Sequence, residues 1–186
     1  MGAPGMTGET MGDRLGGILD ALQFAAHKHR DQRRKDLEAS PYINHPIALA
    51  NVLWREGRVH DPAVISAALL HDTIEDTETL EGEIRERFGD KVARIVAEVT
   101  DDKTLDKAAR KQLQIDHAPH ISREAKLVKL ADKICNLRDM AASPPKTWPK
   151  SRVREYFDWA KAVVDGLRGV HPRLEKTFDE VYAQKP

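Results

Sequence analysis

A histidine and an aspartate stand side by side in the segment LLHDTIED, and two further acids follow closely. His71 and Asp72 come directly after the apolar run 64–70, and Glu75 and Asp76 complete the group. Charged side chains at the end of a buried helix carry a large desolvation cost unless a partner compensates them. A divalent metal ion would do so, because imidazole with carboxylate is a common ligand pair for Zn, Mn and Fe. The group therefore predicts a metal site.

A metal site usually has three or four protein ligands, so the doublet requires partners elsewhere in the chain. His45 in the motif PYINHP and Asp132 in the motif KLADKICNLRD are the two candidates. The spacing predicts that Asp132 lies on the opposite side of its helix from an apolar stripe that begins at Leu127. Ligands from three helices of a bundle core commonly build such a site. Asp72 and Asp76 share a helix face if the helix continues past Asp72.

Apolar residues recur at three- and four-residue spacing through most of the chain, and we find no alternating strand pattern. Asp61 and Ser122 are predicted to cap the starts of two helices. Gly89 is predicted to end a short helix over residues 79–88, and Asp90 to cap the next one. The sequence therefore predicts an all-α fold, a single bundle of eight to nine helices over residues 13–186. Residues 1–12 lack the basic and apolar regions of a signal peptide and are predicted to form a disordered tail.

The charge balance and the cysteine count limit the possible function classes. The 186 residues include 30 Lys plus Arg and 30 Asp plus Glu, so there is no global basic field for nucleic acid. A single cysteine, Cys135, excludes an internal disulfide and is typical of a reducing compartment. No apolar run approaches the roughly 18 residues of a membrane span. We expect a soluble, cytoplasmic protein without nucleic-acid or membrane partners, and the sequence leaves its oligomeric state open.

Five segments of the chain together resemble the hydrolase domain of the RelA/SpoT family. They are HKHRDQRRKD, PYINHP, ALLHDTIEDT, EVTDDKTL and AKLVKLADKICNLRD. The H…HD…D pattern of HD-domain metal phosphohydrolases is matched at His45, His71-Asp72 and Asp132. The chain is most similar to the small stand-alone members, of the metazoan SpoT-homolog type. The resemblance implies an HD-type domain over residues 13–186 that removes pyrophosphate from the 3′ position of guanosine tetra- and pentaphosphate (ppGpp and pppGpp), giving GDP or GTP.

The resemblance also implies roles for individual residues. The metal ligands carried over are His45, His71, Asp72 and Asp132. Glu75 and Asp76 fall on the family's catalytic acids and are expected to position and activate the attacking water. The family uses Mn²⁺, whereas coordination chemistry alone would also permit Zn²⁺ or Fe²⁺.

Basic and polar residues near these acids are predicted to bind the substrate, which carries two diphosphate groups. Arginine pairs with phosphate through two N–H groups or stacks on a base, and lysine acts as a point charge. An amide is expected to bond the ribose, and a tyrosine to close over a phosphate or the ribose. The predicted substrate-binding residues are Arg34, Lys35, Lys103, Lys107, Asn136 and Tyr156.

Two other functions stay open at the level of the sequence. Stand-alone members resemble enzymes that also remove the 2′-phosphate from NADPH, and the same metal site would serve either substrate. A non-catalytic nucleotide-binding or scaffold domain is expected to have lost a ligand or an acid, whereas this chain keeps all of them.

The remaining chemically interesting residues are predicted to have ordinary structural roles. His27 and His29 are predicted to lie on the first helix and to be partly exposed. Cys135 is predicted to be a small core residue. The tryptophans, Trp54, Trp148 and Trp159, are predicted to be packing residues.

Overall fold

The structure is a computed structural model that describes residues 10–34, 36 and 38–186. Within these residues lie nine α-helices, no strand longer than the isolated bridge between Arg33 and Pro41, and no helix both long and apolar enough to cross a membrane. The helices are α1 (Met11–Lys28), α2 (Asn44–Asn51), α3 (Pro62–Leu70), α4 (Thr73–Asp76), α5 (Glu81–Val99), α6 (Lys107–His117), α7 (Arg123–Ala142), α8 (Lys150–Asp165) and α9 (Pro172–Tyr182). The predicted all-α fold is confirmed.

Side-chain oxygens that accept backbone N–H bonds define several helix starts. Asp61 accepts from the Ala63 N–H at 2.9 Å and begins α3, and Ser122 accepts from Ala125 and begins α7. Both caps agree with the prediction, because these short polar side chains satisfy N–H groups that have no partner inside the helix. The first helical segment ends at Gly89 as predicted, with a positive φ of 85° that suits a residue without a Cβ, and α5 continues beyond this kink to Val99.

Helix α1 begins earlier than the sequence predicts. Thr10 and Asp13 form a capping box, in which each side chain accepts from the other's backbone N–H, so the helix starts at Met11. Its first two residues therefore lie inside the segment 1–12 that was predicted to be a disordered tail. The part of that segment before Thr10 lies outside the described residues.

Helix α3 is the centre of the fold. Every residue from 64 to 70 is buried, and the helix packs against α1, α2, α5 and α7. A helix that is apolar on all sides has to be surrounded by other elements. His71 follows as the C-cap and is itself only 5% exposed, so the polar doublet begins inside the core.

The chain turns between α3 and α4 at the doublet. Asp72 has φ −101° and ψ 0°, which interrupts the helix. The Asp76 N–H then donates to the Asp72 carbonyl at 2.9 Å. Helix α3 therefore does not continue past the doublet, but a single hydrogen-bonded turn connects the backbones of Asp72 and Asp76.

Other helices cover both the apolar side and the polar side of α7. It packs against α2, α3, α5, α8 and α9, and its buried residues include Lys129 and Lys133. The Asp132 side chain, on the side opposite the stripe, is only 15% exposed. Helical periodicity separates a polar side from an apolar one, but it does not reveal that other helices cover the polar side as well.

Two predictions about exposure were wrong. His29 follows the end of α1 instead of lying on it, and it is only 2% exposed. Trp54 is 45% exposed, and its ring lies tilted against the His60 ring with centroids 4.3 Å apart. Trp54 lies in a π-helical turn over residues 52–56, which α2 enters directly. One extra residue in that turn rotates the side chains away from the phase that a regular helix would give them.

Candidate metal centre and active site

Two imidazoles and a carboxylate converge where α2 meets the α3–α4 turn. His45 lies in the first turn of α2, and His71 and Asp72 form the turn itself. One ligand atom from each residue lies within 4.8 Å of those of the other two. Both imidazoles are buried, and the Asp72 side chain is 18% exposed. This cluster has the donor chemistry of a divalent metal site.

Helix α7 brings Asp132 to the edge of this cluster. Asp132 Oδ1 lies 3.1 Å from His45 Nε2 and accepts from Asn136 Nδ2 at 2.6 Å. Its Oδ2 accepts from Lys133 Nζ at 3.0 Å. Asp132 does not belong to the group of three whose atoms all lie within 4.8 Å, so its contact with the centre runs through His45.

The hydrogen bonds of His71 test whether the residues suit a metal. His71 Nδ1 lies 2.8 Å from the Ala68 carbonyl, so this nitrogen carries the proton and donates. On the neutral ring, Nε2 then holds a lone pair, 2.9 Å from an oxygen of Asp72. Among the described residues, His71 Nε2 and His45 Nδ1 are buried without a hydrogen-bond partner. A buried lone pair beside a carboxylate requires a proton or a cation, so the donor set fits a divalent ion.

The pKa values at the centre follow from this arrangement. Burial lowers the pKa of His71, but the charge of Asp72 and its contact with the ring outweigh burial and raise that pKa to about 9. Burial acts to raise the pKa of Asp72, yet the His71 charge holds it below its usual value. For Asp132, Lys133 and His45 likewise outweigh burial and hold the pKa well below the usual value. A divalent ion would take the place of the proton on His71.

Tyr42 is a partner of the centre that the sequence analysis missed. Its hydroxyl donates to Asp72 Oδ2, and burial together with the Asp72 charge raises its pKa, so it stays protonated. Tyr42 lies three residues before His45, a spacing that puts both side chains on one side of a helical turn. That spacing in PYINHP was the available signal.

The two acids of α4 lie beside the cluster in different surroundings. The Glu75 side chain is 18% exposed, and burial, followed by the charges of Asp72 and Asp101, raises its pKa to about 6. Glu75 Oε2 accepts from the Asp101 N–H at 3.2 Å. Asp76 Oδ2 accepts from Gln32 Nε2 at 3.0 Å. A buried carboxyl group with a pKa near neutrality is suited to exchanging protons with water.

Lys103 contacts the acids. Its ammonium group bonds to Asp76 Oδ1 and lies 3.5 Å from Glu75 Oε1. Burial lowers the pKa of Lys103, but these carboxylates outweigh burial and raise it. Lys103 was predicted to bind substrate, and in the structure it neutralises part of the charge on the acidic pair.

Two adjoining cavities open from the centre. The inner one, about 200 Å³, is lined by the cluster together with Glu75 and Asp132. The outer one, about 750 Å³, lies within the usual range for a small-molecule site. The cavities share Tyr42, His45, Asn136 and Tyr156. The ligand cluster therefore adjoins a space large enough for a nucleotide.

The structure gathers most of the predicted substrate-binding residues around the outer cavity. Arg34 and Lys107 line it, as do the shared Asn136 and Tyr156. The Arg34 guanidinium also pairs with Asp139 on α7, which ties the loop after α1 to that helix. Lys103 does not line either cavity. Lys35 lies outside the described residues.

An alternation of aromatic rings and cations along one wall was not predicted. Trp148 lines the outer cavity and Trp159 the inner one, with the Tyr156 ring 6.0 Å and 5.2 Å from them. Arg152 lies 4.1 Å above Trp148, and Lys133 lies 4.5 Å above Trp159. Cations at these distances are attracted to ring faces. The two tryptophans pack against the core, as predicted, and they also form cavity walls, which the sequence pattern does not indicate.

Comparison with protein families gives a match over residues 21–158 to the model described as HD domain. The chain belongs to the HD-domain family. Within it, the chain groups with the MESH1 proteins, and the predicted resemblance to metazoan SpoT homologs is confirmed.

Three relatives illustrate the likeness. The chain is 57% identical over 165 residues to guanosine-3′,5′-bis(diphosphate) 3′-pyrophosphohydrolase MESH1 of Xenopus tropicalis, with 89% of this chain and 92% of that protein covered. It is 53% identical over 175 residues to MESH1 of Homo sapiens, with 94% and 98% covered. The solved structure of a metazoan ortholog of SpoT that hydrolyses ppGpp superposes with a TM-score of 0.88 at 44% identity, covering 99% of this chain and 98% of that one.

Proposed function

We propose that this protein hydrolyses guanosine 3′,5′-bis(diphosphate) and its pentaphosphate analogue at the 3′ position, releasing pyrophosphate and GDP or GTP. Relatives that match nearly the whole chain carry this activity in their names. The observation that carries the proposal is the position of Glu75. This acid, with its pKa raised to about 6, lies in one cavity with the His45, His71 and Asp72 cluster, and that cavity adjoins a nucleotide-sized space.

His45, His71, Asp72 and Asp132 are the residues that would hold the ion. We propose Mn²⁺ on the resemblance to RelA/SpoT hydrolases, although the imidazole and carboxylate donors also suit Zn²⁺ or Fe²⁺. A bound divalent ion supplies Lewis acidity, which lowers the pKa of a water and offsets phosphate charge. Tyr42, Lys133 and Asn136 hold the carboxylates of this set in place through the bonds described above.

The acids act on the attacking water. Glu75 accepts its proton as the oxygen attacks the first phosphorus of the 3′ diphosphate, and the bond between that phosphorus and the 3′ oxygen breaks. Glu75 then releases its proton to solvent and the 3′ oxygen takes one up to become the hydroxyl group, so one water is consumed for each pyrophosphate released. Asp76, fixed by Gln32 and Lys103, orients the water with a second hydrogen bond.

The outer cavity would bind the rest of the nucleotide. Arg34 and Lys107 line it, and their cationic groups attract the diphosphates. Asn136 reaches both cavities and would bond the ribose, and Tyr156 would close over it. From the sequence alone, Lys35 is expected to join them.

Product analysis tests the proposal. The purified protein is incubated with Mn²⁺ and either guanosine tetraphosphate or NADPH, and the nucleotides and phosphates are separated by ion-exchange chromatography. We expect GDP and pyrophosphate from the first, and neither product from Asp72→Ala, which should also lose the ion. The exposed histidine variant His60→Ala is the matched control and should keep full turnover. Orthophosphate from NADPH alone, or no turnover with Mn²⁺ demonstrably bound, would contradict the proposal.

A further inference from the structure

His29 is a buried histidine to which the proposed chemistry gives no role. It is 2% exposed, follows the last residue of α1, and lines neither cavity of the active site. Its Nδ1 lies 2.6 Å from Gln32 Oε1. Its Nε2 is buried without a hydrogen-bond partner among the described residues. Burying a polar ring with one unpaired nitrogen costs folding free energy. The hydrogen bond from His29 to Gln32 is therefore the contact that could give the ring a function.

Gln32 joins this histidine to a catalytic acid. Its Oε1 contacts His29, and its Nε2 donates to Asp76 Oδ2 at 3.0 Å. An ionised carboxylate can only accept, so the amide must present its nitrogen to Asp76 and its oxygen to the imidazole. His29 Nδ1 must then be the donor. Burial lowers the pKa of His29, which favours the neutral ring with a single N–H.

Lys103, the second partner of Asp76, cannot fix the orientation of the Asp76 carboxylate. Lys103 reaches Asp76 Oδ1 from the loop before α6, and its side chain is 48% exposed. An ammonium group on a flexible chain is a point charge with rotatable donors. The Gln32 amide is planar, and it is held at both ends. Its orientation therefore determines which way the Asp76 carboxylate is turned.

We propose that His29 is a positioning residue, which acts through the Gln32 amide to fix the Asp76 carboxylate for attack by water. The inference rests on the proposed hydrolase function. The ring lines neither cavity, whereas Gln32 and Asp76 line the outer one, so the ring acts on the substrate only through them. Groups that orient catalytic residues in this way commonly change rates by an order of magnitude.

A purely structural role would depend on the shape of the ring. The His29 ring lies 4.8 Å from the Tyr42 ring, which carries the hydroxyl bonded to Asp72. His29→Phe keeps an aromatic ring there but removes the N–H. His29→Asn removes the ring but puts an amide N–H where Nδ1 was. The two roles therefore predict opposite rankings of these variants.

Steady-state kinetics on the Mn²⁺-loaded protein with guanosine tetraphosphate separate them. For His29→Phe we expect kcat to fall roughly tenfold, a larger change than that in KM, with the Kd for Mn²⁺ unchanged, and for His29→Asn we expect kcat near the parent value. Adding His29→Phe to Gln32→Leu should cost nothing further, because the link is already broken. His27→Phe, at an exposed histidine on α1, is the matched control. Parent-like kcat in His29→Phe, or a lower kcat in His29→Asn than in His29→Phe, would overturn the proposal.

An NMR measurement that does not depend on turnover tests this inference separately from the proposed hydrolase function. The Gln32 side-chain amide should give two well-separated, slowly exchanging proton resonances in the metal-free protein. We expect both to shift toward the values of a solvent-exposed amide in His29→Phe and to keep their parent shifts in His29→Asn and His27→Phe. Unchanged Gln32 resonances in His29→Phe would refute the link, even in a protein that hydrolyses another substrate. Retained shifts of core methyl groups would show that each variant is folded.

Discussion

A carboxyl group placed among other carboxyl groups can become a base that works near neutral pH. Glu75 is largely buried, and Asp72 and Asp101 lie close enough for their charges to raise its pKa. Lys103 and the Asp101 N–H act in the opposite direction and limit the rise to about 6. The environment that makes Glu75 useful as a base therefore costs folding free energy whenever Glu75 is ionised.

The sign of this cost can be tested with Glu75→Gln in protein stripped of metal by EDTA. The folded-state pKa, about 6, lies above the ordinary value of 4.5, so the folded protein holds the proton more tightly. The parent is consequently penalised as the pH rises through this window, and fully so above pH 6. We expect Glu75→Gln to be more stable than the parent by about 1–2 kcal/mol at pH 8 and by almost nothing at pH 4. Urea unfolding at both pH values measures the difference.

The same variant separates stability from catalysis. Glu75→Gln should bind Mn²⁺ like the parent and lose at least 100-fold in turnover, since removal of a general base commonly costs about 10²–10⁴-fold. Glu78→Gln, at an exposed glutamate three residues further on, is the control. A pH-independent stability difference for Glu75→Gln would show that Glu75 is not an acid with a raised pKa.

Individual site residues differ in how far the sequence could predict them. His45, His71, Asp72 and Asp132 are named by their motifs, and the structure places the first three together and the fourth against His45. The three-residue spacing between Tyr42 and His45 could have indicated Tyr42. Gln32 and His29 had none, because a side chain that acts through a neighbour is defined by a contact between distant segments. Gln32 and Asp76 are 44 positions apart.

At the scale of elements, the doublet depends on α3. An apolar helix enclosed by four others has little freedom to shift, so it delivers His71 to a defined place. The existence of the helices and the caps at Asp61 and Ser122 were predictable, because capping and periodicity are local properties. The π-helical turn after α2 was not predictable, and neither was the packing of other helices over the polar side of α7. Both depend on contacts between elements that are distant in sequence.

Leu70→Ala tests how strongly α3 is held. Leu70 is fully buried at the last position of the helix, next to His71. Its truncation should lower the free energy of unfolding by about 3 kcal/mol, through lost apolar burial and the cavity left behind. The measurement is urea unfolding at neutral pH, with Leu80→Ala as the control, since Leu80 is 73% exposed. A loss below about 1 kcal/mol would mean that neighbouring helices collapse into the space and that α3 is not rigidly packed.

At the scale of the whole molecule, the candidate metal centre crosslinks the chain. It connects α2, the α3–α4 turn and α7, whose ligands are 26 positions apart from His45 to His71 and 60 from Asp72 to Asp132. A metal-free centre leaves a buried imidazole lone pair against a carboxylate, or a proton in its place. A bound ion should therefore stabilise the entire fold rather than a local segment.

Thermal and urea unfolding with and without Mn²⁺ test this coupling. At a free-ion concentration 100 times its Kd, one site stabilises the folded protein by about 2.7 kcal/mol, and the gain should grow with the logarithm of concentration. His45→Ala should abolish the gain, whereas His60→Ala, at an exposed histidine, should preserve it. Since the ligands come from three segments, α2 and α7 should gain the same protection from Mn²⁺ as the α3–α4 turn, when each is followed by amide hydrogen exchange. A gain that persists in His45→Ala, or protection limited to the α3–α4 turn, would mean that the ion binds without bridging the helices.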